Sequence, residues 1–154
     1  MEKFNFKGIE IKATDKPKVV PYTTPDGQQR ERYHRNICVI VRFWEYVIKD
    51  DLYELAFIKS VLNFFMQAYW KRSTKDGSRI VLEETLEPGD DSVNRNLSLH
   101  FNARQLHKIV SLHVCLKNDE GVIEELYLSA REVNMLDIAI NKAITMLQAA
   151  VAVD

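Results

Sequence analysis

Seven apolar residues, Val133, Leu136, Ile140, Ala143, Ile144, Leu147 and Val151, recur at helical spacing near the end of the chain and predict an amphipathic helix. Arg131, Asn134, Asp137, Asn141, Lys142 and Gln148 fall largely on its other side. Ser129 and Glu132 stand at the spacing of a capping box, in which each side chain satisfies the other residue's amide, and Leu128 and Val133 supply the hydrophobic staple. Just before this helix Val110, Leu112, Val114 and Leu116 alternate with Ser111, His113 and Cys115. Asn118-Asp119-Glu120-Gly121 then turns the chain, and Val122, Glu124, Leu126 and Leu128 return it. Residues 109–150 therefore predict an antiparallel hairpin with one apolar face, followed by the helix that covers it.

The first half repeats the plan. Thr24-Pro25-Asp26-Gly27-Gln28 is a turn signal, because Pro presets the first central angle, Asp bonds the backbone ahead of it and Gly accepts positive φ. The incoming strand is expected at Lys18–Thr24. The outgoing strand is expected over Gln29–Ile48, bent or broken near Asn36, since so long an uninterrupted strand is uncommon. Asp51 and Glu54 form a second capping-box spacing and open a helix that runs to about Lys71. This helix is apolar around most of its circumference, with only Lys59, Ser60, Asn63, Gln67 and Lys71 as a polar stripe. Such a helix is buried on more than one side, which leaves two readings open: a central helix between sheets, or a subunit interface.

Between the halves, Arg79–Leu86 and Asn94–Phe101 read as strands joined by the polar loop Glu87-Pro88-Gly89-Asp90-Asp91, and Asn102–His107 as a short helical turn. The order is three or four strands, a helix, four strands and a helix. Strands in runs, not alternating singly with helices, predict an α+β fold with antiparallel sheets in a ββββα-ββββα plan. The 154 residues suit a single domain, 1–154, of two similar halves, 1–72 and 73–154. The stretch Leu52–Trp70 is broken by Glu54, Lys59, Asn63 and Gln67 and is too polar for a membrane span. No basic segment followed by an apolar run opens the chain. Cys38 and Cys115 sit mid-strand without motif spacing and are expected as buried thiols of a reducing, cytoplasmic protein.

Charge changes the picture through its distribution. The net charge is −1, yet residues 1–80 carry 15 Lys and Arg against 10 Asp and Glu, and residues 81–154 carry 6 against 12. Such polarity fits either one basic face for a polyanion or head-to-tail packing of subunits. Period-two reading of the long strand separates two faces. Tyr33, Ile37, Val39, Val41, Phe43 and Val47 belong in the core. Arg30, Arg32, His34, Asn36, Cys38, Ile40, Arg42, Trp44 and Tyr46 share the other face. Cations interleaved with Trp and Tyr are what single-stranded nucleic acid requires, since positive charge tracks the backbone and aromatic planes stack on unpaired bases. In that reading Arg30, Arg32, His34 and Arg42 contact phosphates, and Trp44 and Tyr46 stack. The alternative is that Trp44 and Tyr46 are covered by a neighbouring element, with Arg42 reaching past them.

The order of strands and helices over some 150 residues resembles the Whirly single-stranded DNA-binding proteins and their relatives in the positive-cofactor-four-like superfamily. Val122-Ile123-Glu124-Glu125-Leu126-Tyr127-Leu128-Ser129-Ala130-Arg131-Glu132-Val133 is similar to that family's last strand running into its last helix. Phe6-Lys7-Gly8 is similar, at Lys7 and Gly8, to the opening of the lysine-glycine motif of its plant members. The resemblance implies binding of single-stranded DNA or RNA along sheet surfaces, without catalysis, with Lys7 as a further contact. It also implies a homo-oligomer with helices packed at its centre, a role that the apolar Leu52–Trp70 helix suits.

Catalysis has less support. Glu83, Glu84, Glu87, Asp90 and Asp91 form an acidic run of the kind that seats a divalent cation, but also of the kind found in a solvated loop. His100, His107, His113 and Cys115 are metal-ligand types without the paired short spacing of a zinc site, although His113 and Cys115 share one strand face. Dinucleotide, P-loop and kinase signatures are missing, and no Ser or Cys has the local context of an activated nucleophile. The sequence points to no cofactor and no metal. A third class, a structural or adaptor subunit that assembles through the 52–70 helix, draws on the same broad apolar helix and the charge polarity.

Overall fold

The computed structural model describes residues 2–34, 36–74, 81–106 and 109–153. Six strands precede the first helix: β1 (Glu2–Phe6), β2 (Ile9–Asp15), β3 (Lys18–Thr23), β4 (Gln29–His34), β5 (Ile37–Phe43) and β6 (Tyr46–Lys49), followed by α1 (Leu52–Thr74). Four more, β7 (Glu83–Leu86), β8 (Ser98–Leu106), β9 (Ile109–Asn118) and β10 (Gly121–Leu128), lead to α2 (Ala130–Val153). All pairings are antiparallel. The sheets run β1-β2-β5-β6 and β10-β9-β8-β7, with β3 and β4 as a separate hairpin. The fold is thus α+β, each run of strands closed by a helix.

The hairpin β1–β2 is an addition to the expected plan. Ile9, Ile11 and Ala13 alternate with Glu10, Lys12 and Thr14, and only the first set is buried. Lys7 (φ 47°) and Gly8 (φ 92°) make the two-residue turn. Both central positions carry the positive φ that suits the twist of antiparallel strands, but Lys at the first of them conceals the turn from a sequence reading.

The long strand breaks twice. As expected, β4 ends at His34 and β5 begins at Ile37. The second break falls at Trp44-Glu45, a two-residue turn with Trp44 at φ 55°, where the strand was expected to run on to Ile48. The turn pairs Phe43 with Tyr46 and Arg42 with Val47. Partners in an antiparallel pair share a face, so Tyr46 joins Phe43 in the core, and Val47 joins Arg42 on the other side.

The inner faces of the two sheets meet in one core. Phe43 of the first sheet and Phe101 of the second contact edge to face, with ring centroids 6.2 Å apart. α2 packs across β2 and β5 and reaches β9 and β10, and α1 packs on α2 and β7. The Ser129–Glu132 capping box forms in both directions, at 3.2 Å and 3.0 Å. At α1 only half of the expected box forms. The Glu54 N–H donates to Asp51 Oδ1 (3.1 Å), while the Glu54 carboxylate instead accepts from the Tyr46 hydroxyl at 3.4 Å. Burial raises the Glu54 carboxyl above its usual range and the Tyr46 hydroxyl well above its own.

α1 buries one stripe, Leu55, Ile58, Val61, Leu62 and Phe65, and leaves Tyr53, Phe64 and Trp70 exposed. It does not lie between sheets. The expected strand Asn94–Phe101 begins four residues later, at Ser98, and the expected helical turn after it is strand as far as Leu106, because Leu99, Phe101 and Ala103 keep alternating inward. Residues 79 and 80 and His107 lie outside the described residues.

Asn94 does something other than extend a strand. It is 2% exposed, and its amide accepts from the Val47 N–H (2.8 Å) and donates to the Val47 C=O (2.6 Å). One side chain thereby takes the place of a strand partner at the free edge of β6. Asn94→Ala orphans both Val47 groups and is expected to lower stability by about 2 kcal/mol. The expected reading is a lower urea midpoint with an unchanged m-value. A midpoint within error of the parent would show that solvent replaces the amide at no cost.

Candidate nucleic-acid interface

The outer face of the first sheet extends without a change of register into the hairpin. β2 pairs with β5 from Ile9↔Phe43 to Asp15↔Ile37, and β3 pairs with β4 from Lys18↔His34 to Thr23↔Gln29. Across the gap the Lys16 N–H donates to the Asn36 C=O at 3.1 Å. β2 and β3 thus form one rail of a twisted ribbon, and β5 and β4 the other. Alternation on this ribbon puts Lys12, Lys16, Lys18 and Tyr22 on the side of Arg42, His34, Arg32 and Arg30. Lateral pairing adds Lys3 from β1, opposite Lys12, and Lys49 from β6, opposite Ile40.

Eight cations, Lys3, Lys12, Lys16, Lys18, Arg30, Arg32, Arg42 and Lys49, are exposed at these positions, and Glu10 is the one carboxylate there among the described residues. Lys12 Nζ lies 3.1 Å from Glu10 Oε1. That hydrogen bond, with the charges of Lys12, Lys3 and Arg42, holds the Glu10 carboxyl below its usual range. Glu10 stays ionised and neutralises one cation, which leaves the face strongly positive.

Four of the expected site residues, Arg30, Arg32, His34 and Arg42, lie on this face and are exposed. Arg32 lies over Tyr22, its guanidinium carbon 4.7 Å from the ring centroid, and Arg30 donates to Gln28 Oε1 at 3.1 Å. Tyr33, expected in the core, is 73% exposed, because the hairpin projects past the helices and both of its faces are open.

Three expected site residues sit elsewhere. Tyr46 is fully buried on the core face and offers no plane to a base; the turn at Trp44-Glu45 reversed its side. Trp44 is half-buried and packs over Gly8, and its N–H donates to the Gly8 C=O at 2.9 Å. Lys7 occupies the neighbouring turn, where its ammonium lies 3.5 Å from Glu132 and 5.1 Å from the centre of the Phe6 ring. Lys3, Lys12, Lys16, Lys18, Lys49 and Tyr22 were missing from the sequence-based site. The alternation of Ile9, Ile11 and Ala13 with Glu10, Lys12 and Thr14 is the signal that finds Lys12.

The second sheet presents a different outer face. His113 and Cys115 share it with His100, as their strand positions require. His100 lies between Thr85 Oγ1 (3.1 Å) and Ser98 Oγ (2.8 Å), and burial lowers its pKa. His113 Nε2 is 2.9 Å from Glu125 Oε2, and its ring stacks on Tyr127 at 4.6 Å. Among the described residues no group of three His, Cys, Asp or Glu side chains is placed to hold a metal ion. Cys38 is half-buried, Cys115 is buried, and both are free thiols. Among the described residues no helix is long and apolar enough to cross a membrane.

No family model matches the chain, and no curated protein does. Solved structures that are similar to it include WHY3 from Arabidopsis thaliana, at 13% identity over 98% of this chain and 89% of that one, with a TM-score of 0.38. WHY1 from the same plant is 13% identical over 95% and 88%, with a TM-score of 0.36. The plant transcriptional regulator PBF-2 is 14% identical over 96% and 89%, with a TM-score of 0.40. The resemblance of this chain to the Whirly proteins is one of fold alone.

Proposed function

We propose that this chain is a non-catalytic binder of single-stranded DNA or RNA, which lays the strand across the outer face of β1, β2, β5 and β6 and along the β3–β4 hairpin. The observation that carries this reading is the unbroken register from Ile9↔Phe43 to Thr23↔Gln29, which aligns cations from four strands on one open surface. Same-face side chains repeat about every 6.6 Å along a strand, a spacing comparable to that of phosphates on an extended single strand. The Arg32–Tyr22 pair adds a guanidinium plane and a ring on which an unpaired base stacks. Arg30, His34 and Arg42 contact phosphates in this reading, with Lys3, Lys12, Lys16, Lys18 and Lys49. Lys7, at the far end of the ribbon, is a peripheral contact.

The test is fluorescence anisotropy of labelled single-stranded and duplex oligonucleotides across a series of salt concentrations. Single strands are expected to bind more tightly, with log affinity falling linearly in log salt. Arg42→Gln is expected to reduce the magnitude of that slope by about 0.7, the value for one phosphate contact on a single strand. Absence of binding at low salt, or a preference for duplex, would sink the reading.

A second reading, assembly, has its own observation. Tyr53, Phe64 and Trp70 of α1 are 81%, 50% and 62% exposed, and large apolar side chains clustered on one element mark association surfaces. We infer a homo-oligomer formed through α1. Light scattering is expected to give a multiple of 17.9 kDa, reduced by Phe64→Asp. A monomeric parent protein would remove assembly from the account and leave the basic face to be judged alone.

A further inference from the structure

We propose that the groove between the β1 edge of the first sheet and the flank of α2 receives an extended acidic and apolar segment of a partner protein, which adds to β1 as a further strand. β1 stands last in its sheet, so its outer edge has no strand partner among the described residues. α2 packs over β2 and β5, and the inner side of the sheet overhangs it toward β1. The groove so formed has a volume of about 480 Å³, within the range of sites that take ligand side chains. Phe4 and Ile11 line it from the sheet, and Met135 and Ile138 from the helix. The last two are 46% and 50% exposed, so this apolar wall lacks a cover.

The chemistry of the occupant follows from the edge and from the charge. An extended segment satisfies the open backbone groups of β1 with main-chain hydrogen bonds and sends alternate side chains inward, which is how strand addition combines affinity with selectivity. The inward side chains must be apolar to match Phe4, Ile11, Met135 and Ile138. Lys142 lines the groove from the helix, and Lys3 borders it from the outer side of β1, opposite Lys12; neither is within ion-pair distance of a carboxylate among the described residues. Lys3 calls for acidic residues at the outward positions of the segment, and Lys142 for one where the segment passes the helix. A nucleic-acid strand matches neither the aliphatic wall nor the backbone edge.

The probe is a fluorescein-labelled peptide that alternates Asp or Glu with Leu or Ile, titrated with the full chain and followed by polarisation. Saturable binding is expected, weakened about tenfold or more by Lys142→Glu and by Ala139→Trp, which fills the groove. Ile138→Asp, at a half-exposed position, serves where Ala139→Trp perturbs the fold. Amide hydrogen exchange at β1 is expected to slow when the peptide binds. An Asp/Ser peptide of equal charge is expected not to bind. Equal binding of that peptide would place the interaction on the basic sheet face and overturn the proposal. Failure to saturate, indifference to Lys142→Glu and Ile138→Asp, or binding without added protection at β1 would each overturn it as well.

Discussion

Gly8→Ala is expected to lower the unfolding free energy by about 3 kcal/mol, from two independent costs. Gly8 sits at φ 92°, a backbone conformation that costs an L-residue about 1–2 kcal/mol. The second cost is steric. A Cβ at this position falls 2.6 Å from Cδ1 of Trp44 and against Nε1 of the same ring, so the indole must leave its place on the turn. Trp44 is itself held by its N–H bond to the Gly8 C=O and by its own positive φ. The two turns therefore brace one another, joining the hairpin β1–β2 to β5–β6 at the end of the sheet remote from β3–β4. A double-mutant cycle separates the costs. In a Trp44→Ala background the steric part vanishes, and Gly8→Ala is expected to cost only about 1–2 kcal/mol, the backbone part. Urea unfolding of the four proteins measures this directly. An equal cost in both backgrounds would mean that the indole does not rest on Gly8.

The elements that were legible in the sequence are those whose signal is local. The Ser129–Glu132 box formed as its spacing required, and the break near Asn36 formed where strand length demanded one. What was hidden depends on partners distant in sequence. Lys7 stands where Asn or Asp usually precedes the Gly of such a turn, so the sequence does not show β1–β2, nor the lateral register that brings Lys3 and Lys12 beside Arg42. The reversed side of Tyr46 follows from one two-residue turn, since inserting a turn into an alternating pattern redistributes the residues after it between the faces. Asn94 read as strand because its side chain bonds to Val47, 47 residues away, and no local pattern records such a bond. The Asp51–Glu54 spacing, in turn, was half diverted when Tyr46 arrived within reach of the carboxylate.

Reversal of two charges at the centre of the ribbon, Lys12→Glu with Arg42→Glu, is expected to weaken single-strand binding about 100-fold at low salt, with the difference shrinking as salt rises. These positions lie on adjacent strands of one face, in neighbouring rows of the register, so both substitutions act on the same stretch of bound phosphate. The Lys12 substitution also frees Glu10 from its ion pair with Lys12, which deepens the local negative potential. Net charge falls in the same step, and a more acidic protein repels a polyanion wherever the charge is placed. Arg104→Glu with Arg131→Glu alters net charge equally at exposed positions of β8 and α2, away from the ribbon. Binding by the aligned face requires this second pair to cost only a few-fold. If the two pairs cost the same, affinity follows net charge alone, and the alignment of cations along β2–β3 and β5–β4 has no part in holding the strand.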